Sequence, residues 1–520
     1  MCNLEQTEAD VGNGSHHTFL VKDGRHLPMP VKSLFVEWYS TQHYAPLLAM
    51  ELLMLVALLS CLAAVLWQCT RRSAVEVQQP TIEIGDAAVA QRALIENANA
   101  FSDRPLALFP VILVTGRRRR RSDNISSAPY GPHWRVLRCN LTSKLLHPSR
   151  LSFLAPLQRV AVQDLLAGLS ARDEVVVVRD SLHDAVFALV ARMCFGDGVA
   201  HRDVRAAQRV MQEFVLGVGQ AKAYAGSKLA KLLHWRRWRR FLASRGNMAE
   251  VFFPIIAAAG RRTCKDGVLP YVDSLLDLRV PDDAGARRAL TDDEMVSLVS
   301  EFLGAGTETV VACVEWTLAH LVAQPEVQKR LQREVDGEAG KGKGKGVMPM
   351  PDELRQRGMP YLHAVILESL RMHPPVPFLM RDVHAEDAAA LAGKATVVTP
   401  AGLRVHFMLG DIGRDSNTWK DPDDFRPERF LPGGEAEDVG PLPGPKEIRM
   451  MPFGAGRRFC PGMGLSILHV KLCLVALVRG FEWAPVAGQN VDLTELDGFF
   501  KTMKKPLRAC ITKRFNATRR

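Results

Sequence analysis

Apolar residues recur every three to four positions through most of the chain from about Ala87 onward, the period of a helix with one buried face. The clearest case opens at Thr291-Asp292-Asp293-Glu294, which has the form of a capping box: hydroxyl and carboxylate each satisfy the other residue's backbone N–H. The pattern after it predicts one long helix that stops only at Pro325. A second helix is predicted over Tyr361 to Arg371, ended by Pro374-Pro375, and a third over Leu465 to Val478, closed near Gly480. Trp134 and Arg138, four apart, share one face of another predicted helix. The chain is read as mainly α.

The pattern differs before Ala87. Leu47 to Trp67 is apolar except for Glu51 and Ser60, and Arg71-Arg72 follow it. As a helix this stretch reaches about 31 Å, enough for a bilayer core. We expect a transmembrane anchor over residues 46–68, with a cleaved signal or a buried helix as the alternatives. The segment lies far from Met1 and ends in Trp, Gln and Cys, which disfavours cleavage. The arginine pair predicts a cytosolic C-terminal side. Residues 1–45 are then a lumenal extension, in which Asn13-Gly14-Ser15 is a glycan acceptor sequence. Residues 69–85 are assigned to a linker and 86–520 to a catalytic domain.

With 520 residues, 47% of them apolar, the chain can bury a large core. Its ten cysteines contain no C-x-x-C pair, which argues against a zinc site or disulfide scaffold and fits a reducing compartment. The net charge of +11 is concentrated in Arg117 to Arg121, in Trp235-Arg236-Arg237-Trp238-Arg239-Arg240, and in Lys341, Lys343 and Lys345. No helix-turn-helix, zinc or aromatic-sheet signature accompanies these runs, so nucleic acid is not expected as a partner. The Trp-Arg cluster suits a membrane interface or a solvated helix face.

One decapeptide carries most of the chemistry: Phe453-Gly454-Ala455-Gly456-Arg457-Arg458-Phe459-Cys460-Pro461-Gly462. Cys460 stands at the mouth of the third predicted helix, where the helix dipole and unpaired N–H groups favour a thiolate. Such a thiolate is a strong axial ligand for haem iron. Arg458 offers a fork to a carboxylate, and haem has two. Phe453 can shield the sulfur, and Gly456 and Gly462 permit backbone conformations or a close approach to a flat ligand. In the long helix, Gly304-Ala305-Gly306-Thr307-Glu308-Thr309 places two glycines where each costs about 1 kcal/mol relative to alanine. A flat cofactor lying against the backbone would justify them. Glu308 and Thr309 could then pass protons, or Thr309 could simply bond back to its own helix. Glu368 and Arg371 lie at i, i+3, within ion-pairing reach.

The spacing F-x-x-G-x-R-x-C-x-G, together with W-x-x-x-R at Trp134 and Arg138, A-G-x-E-T ending at Thr309, E-x-x-R at Glu368 and Arg371, and Phe425-Arg426-Pro427-Glu428-Arg429-Phe430, resembles the cytochrome P-450 family. The order of the motifs is that of a membrane-anchored plant A-type member. The runs Asn124 to Gly131, Asn140 to Ser143 and Leu146 to Arg150 are most similar to the plant family numbered eighty-nine.

The resemblance implies a mostly helical fold with small β-sheets, binding haem b between the long helix and the cysteine loop. It implies Cys460 as metal ligand, with Trp134, Arg138, Arg381 and Arg458 on the haem propionates and Phe453 and Gly462 beside the sulfur. Glu308 and Thr309 would deliver protons, and Arg429 would complete a structural network with Glu368 and Arg371. The implied reaction is monooxygenation of a lipophilic small molecule by O2. Its electrons come from NADPH through a cytochrome P-450 reductase, with cytochrome b5 a second candidate donor, and its location is the endoplasmic reticulum membrane with a single span and a cytosolic catalytic domain. Phe302, Phe378, Leu379, Phe499 and Phe500 are candidate walls of an apolar pocket. A peroxide-rearranging haem-thiolate enzyme and a truncated, poorly folding member are the alternatives. The second arises because the family pattern has a hinge, a helix and paired strands where only Ser73 to Gly85 stand here.

Overall fold

In the computed structural model the capping box forms as the sequence predicts: the Thr291 hydroxyl accepts the Glu294 N–H at 3.4 Å, and the Glu294 carboxylate accepts the Thr291 N–H at 2.7 Å. The helix it starts runs over Asp292–Ala323. The structure describes residues 50, 52–61, 80–104, 124–171, 174–221, 228–259, 269–282, 285–340, 358–391, 402–444, 446–496 and 498–514. Asn13, Arg71-Arg72, Arg117 to Arg121 and Lys341, Lys343 and Lys345 lie outside those residues.

The main helices in chain order are α1 (Pro132–Leu141), α2 (Ala155–Ser170), α3 (Val178–Phe195), α4 (His201–Ala221), α5 (Trp235–Ala259), α6 (Asp292–Ala323), α7 (Pro325–Gly340), α8 (Pro360–Met372) and α9 (Met463–Gly480). Proline begins α1, α7 and α8, where a missing N–H costs nothing. Helix α6 is the axis of the core. It packs against α3, α5, α8 and α9, and its Val296, Leu303, Val310, Val314, Trp316, Leu318 and Leu321 are fully buried. Helices α6 and α9 are apolar and long enough to cross a membrane, yet more than half of each one's most apolar stretch is buried within the protein, as expected of core helices.

Among the described residues, four small sheets complete the architecture. Strand β1 (Thr81–Ile84) runs parallel to β6 (Leu403–Met408), which is antiparallel to β5 (Phe378–Val383). Strand β10 (Arg508–Lys513) lies between β2 (Val175–Val177) and β7 (Phe481–Pro485). Two hairpins pair β3 (Arg279–Pro281) with β4 (Arg287–Ala289) and β8 (Glu495–Leu496) with β9 (Thr502–Met503).

Strand β1 corrects one expectation. The stretch 69–85 was assigned to a linker, but Thr81-Ile82-Glu83-Ile84 alternates polar and apolar residues and joins a sheet, with Ile84 buried. The N-terminal unit, taken by itself, contains the helix Leu52–Cys61, whose leucines are exposed, Leu53 by 69%. The remainder of the expected anchor lies outside the described residues.

Candidate active site

The loop that carries Cys460 is shaped by close backbone contact. Gly456 has φ of +70°, and a Cβ there would sit 2.2 Å from the Leu94 carbonyl oxygen, so only glycine fits. The Cys460 N–H donates to the Phe453 carbonyl at 2.8 Å and closes the loop. Gly462 is not required by the protein's own backbone. Its φ of −88° is ordinary, and an added Cβ would meet only normal contacts. Its N–H, with that of Met463, is aimed at the thiol instead.

Burial pushes the Cys460 thiol up, and those two N–H groups together with the charges of Arg138 and Arg104 oppose the rise. Cys194, Cys313 and Cys473 are raised by burial with no cation opposing it, the last two to about 12. Cys460 differs from them in facing positive charge.

That charge is a cluster of four guanidiniums. Arg458 donates to the carbonyls of Ser102 at 2.6 Å, Ile125 at 3.3 Å and Ala128. Arg104, which sequence reasoning missed, donates to Ser126 at 3.0 Å and to the Arg458 carbonyl at 3.4 Å. Arg381 is 1% exposed; its Nη1 reaches the Met380 carbonyl, and its Nε has no hydrogen-bond partner. Arg138 lies over the Phe459 ring at 4.9 Å and the Trp134 ring at 5.8 Å. Burial lowers all four, Arg458 to about 10, and Arg381 is depressed further by Arg104 and Arg458. Two acids face the cluster. Glu301 spends both oxygens on the N–H groups of Ile125 (2.9 Å) and Ser126 (2.6 Å), and Asp103 accepts the Tyr130 N–H.

Two buried cations, Arg381 and Arg458, and two half-buried ones, Arg104 and Arg138, against two acids among the described residues leave room for two more carboxylates, which is what a haem would bring. The bare Nε of Arg381 marks where one could sit. The Trp134 indole N–H, expected on a propionate beside Arg138, donates to the Ile125 carbonyl at 3.0 Å. Trp134 therefore shapes the segment 124–128 directly.

Helix α6 presents a second face of the site. Glu301, Ala305 and Thr309 follow at four-residue spacing, and Ala305 is exposed in a helix otherwise mostly buried. Glu301 on this face holds Ile125 and Ser126, whose carbonyls Trp134, Arg458 and Arg104 take; open face and cysteine loop thus flank one segment. The Thr309 hydroxyl bonds back to the Ala305 carbonyl at 2.8 Å. Glu308 points elsewhere, toward His183 Nε2 at 3.0 Å. Gly304 and Gly306 have a packing reason of their own. A Cβ on them would lie 3.2 Å from Met211 and 3.1 Å from Val190, so they let α6 approach α4 and α3.

Away from these groups, Glu368, Arg371 and Arg429 meet one another with side chains fully shielded from solvent. Arg371 forms a bidentate pair with Glu368 (2.7 and 2.8 Å), and Arg429 Nε lies 3.2 Å from the same carboxylate. Arg429 also bonds Glu435 and the carbonyls of Lys420 and Asp421, and Arg371 bonds those of Gly413 and Pro422 at 2.8 Å. Glu435 is a fourth member that no motif announced. Of the candidate wall residues, Phe302 packs on Tyr271, Phe378 stacks on His406 and Phe499 meets Phe500 edge-on.

The cytochrome P450 family model matches residues 75–511. "Cytochrome P450 89A9" of Arabidopsis thaliana is 36% identical over 445 residues, 83% of this chain and 84% of that protein. "Cytochrome P450 98A1" of Sorghum bicolor is 30% identical over 450 residues, 82% of each. Among solved structures, a zebra fish cytochrome P450 with progesterone has a TM-score of 0.66 at 20% identity, covering 84% of this chain and 94% of that one. Retinoic acid-bound cyanobacterial CYP120A1 has a TM-score of 0.65 at 21% identity, covering 83% and 89%. Those two likenesses establish the fold, and the match over most of the sequence establishes more: this chain belongs to the cytochrome P450 family of haem-dependent monooxygenases.

Proposed function

We propose that this protein is a membrane-anchored monooxygenase that takes electrons from NADPH through a separate reductase and oxidises a lipophilic small molecule. The observation that carries the reading is the surplus of guanidinium charge beside Cys460. Haem, when bound, supplies O2 activation. Cys460 would ligate its iron, and Arg104, Arg138, Arg381 and Arg458 would hold its carboxylates, their buried charge offset at last. Phe453 would keep water from the sulfur. Thr309, on the open face of α6, would orient a proton donor toward the reacting centre, and Glu308 would carry protons from the outer side of the helix. The network of Glu368, Arg371 and Arg429 would fix the loop's position.

The sequence has no dinucleotide or flavin fingerprint, which is why a partner is assigned the electron supply. Arg135 and Arg457 are exposed near the cysteine loop and flank Tyr130 at 5.1 and 5.6 Å. They are suited to an acidic flavoprotein surface. Changing both to Glu should slow reduction in a salt-dependent way. The exposed leucines of Leu52–Cys61 support an anchor within residues 46–68, and the arginine pair after it would leave the catalytic domain on the cytosolic side of the endoplasmic reticulum membrane.

The deciding experiment is a carbon monoxide difference spectrum of the full chain, followed by turnover with NADPH, reductase and O2 against hydroperoxide alone. A thiolate-type band with NADPH-dependent turnover supports the proposal. A band with turnover only on hydroperoxide favours a rearranging enzyme, and no band rejects both.

A further inference from the structure

Glu308 faces a set of side chains that no sequence motif announced. His183, on α3 and 8% exposed, brings Nε2 within 3.0 Å of Glu308 Oε1. Its Nδ1 lies 3.0 Å from Gln208 Nε2 and 3.4 Å from Gln212 Nε2, both on α4. Gln208 Nε2 also donates to Asp184 Oδ1 at 2.7 Å. An amide nitrogen has two hydrogens and accepts nothing. Held by Asp184 on one side, it must present its other hydrogen to His183 Nδ1. A flipped amide would set its oxygen against the Asp184 carboxylate. His183 Nδ1 is therefore an acceptor, and the single proton of the neutral ring sits on Nε2, aimed at Glu308. The Phe187 ring, near parallel at 10° and 6.0 Å away, holds the plane of the imidazole.

We propose that His183 is a positioning residue for Glu308: with Gln208 and Asp184 setting its tautomer, its Nε2–H parks the carboxylate on the α3 side of the long helix, away from the face that bears Thr309. Surface-exposed Asp184 thus reaches a half-buried acid through two intermediaries. This rests on reading Glu308 as a proton carrier, and the test separates the two.

The full-length chain, labelled with 15N-histidine and held in nanodiscs, gives the first readout. The His183 signal, assigned by its loss in His183→Gln, is expected to show a protonated Nε2 and an unprotonated Nδ1 at neutral pH. Gln208→Glu replaces the donor with an acceptor and is expected to protonate both nitrogens. An Nδ1–H tautomer in the parent, or an unchanged signal in Gln208→Glu, overturns the proposal.

The second readout is peroxide released per NADPH by haem-loaded protein with reductase and no added substrate, in variants that keep the carbon monoxide band. His183→Gln retains an N–H near the Nε2 position and is expected to match the parent. His183→Phe keeps a ring without a donor and is expected to raise peroxide release several-fold. If His183→Phe is silent while Glu308→Gln is not, the positioning role is overturned. If both are silent, the reading of Glu308 itself fails.

Discussion

Two clusters of arginine, a front one beside Cys460 and a rear one around Glu368 of α8, are balanced differently. In the rear cluster, Arg371 and Arg429 face Glu368 and Glu435, and the guanidinium donors not used on carboxylates end on backbone carbonyls. In the front cluster, Arg104, Arg138, Arg381 and Arg458 face, among the described residues, Glu301 and Asp103, both already engaged by backbone N–H groups. The rear is complete within the polypeptide. The front carries a cationic excess that the described residues do not offset, which is the electrostatic form of a site for a dianion.

The comparison breaks most severely at the rear. Glu368→Ala should leave two guanidiniums unpaired in a solvent-free interior and cost about 3–5 kcal/mol. Urea unfolding should report that loss, with little pigmented protein recovered. The front should behave in the opposite sense. Arg381→Met should leave the unfolding midpoint of the haem-free protein unchanged or higher, because it removes an unbalanced charge. It should nevertheless speed haem transfer to an acceptor globin by roughly ten- to a hundredfold, the worth of one charged hydrogen bond. Equal destabilisation by both substitutions would abolish the distinction.

Smaller changes sharpen it. Glu435→Gln should cost about 1 kcal/mol in urea unfolding, since Arg429 retains Glu368 and its carbonyls. Trp134→Phe removes one N–H bond to Ile125 and should cost no more than about 1 kcal/mol, with haem transfer hardly altered. A large effect on transfer would mean that the indole turns to a propionate when the group is present.

The rear cluster was legible in the sequence, and the front only in part. Glu368 and Arg371 are three apart on one helix, and Arg429 lies in a recognisable hexapeptide, so spacing and motif sufficed. Glu435 belongs to an irregular turn that is brought to Arg429 by its backbone path, which no periodicity encodes. Arg104 and Glu301 meet the segment 124–128 through tertiary contact between positions far apart in the chain. The long helix was readable from its capping box to Pro325 because local signals set both ends. The reason for its glycines was not, since it lies in Met211 and Val190 on neighbouring helices. Strand β1 has a signal in the alternation of Thr81 to Ile84, but the partner that makes it a strand, β6, lies far along the chain.

Gly456 lies against the carbonyl of Leu94, and the neighbouring Arg458 bonds Ser102, 356 positions earlier. A ribosome releases the early segment long before the decapeptide exists, so the thiol-bearing turn can be seated only once nearly all of the polypeptide has been made. Cofactor capture then belongs to the closing stage of biogenesis, and truncating the last eighty or so residues should yield a colourless product however well the earlier helices assemble.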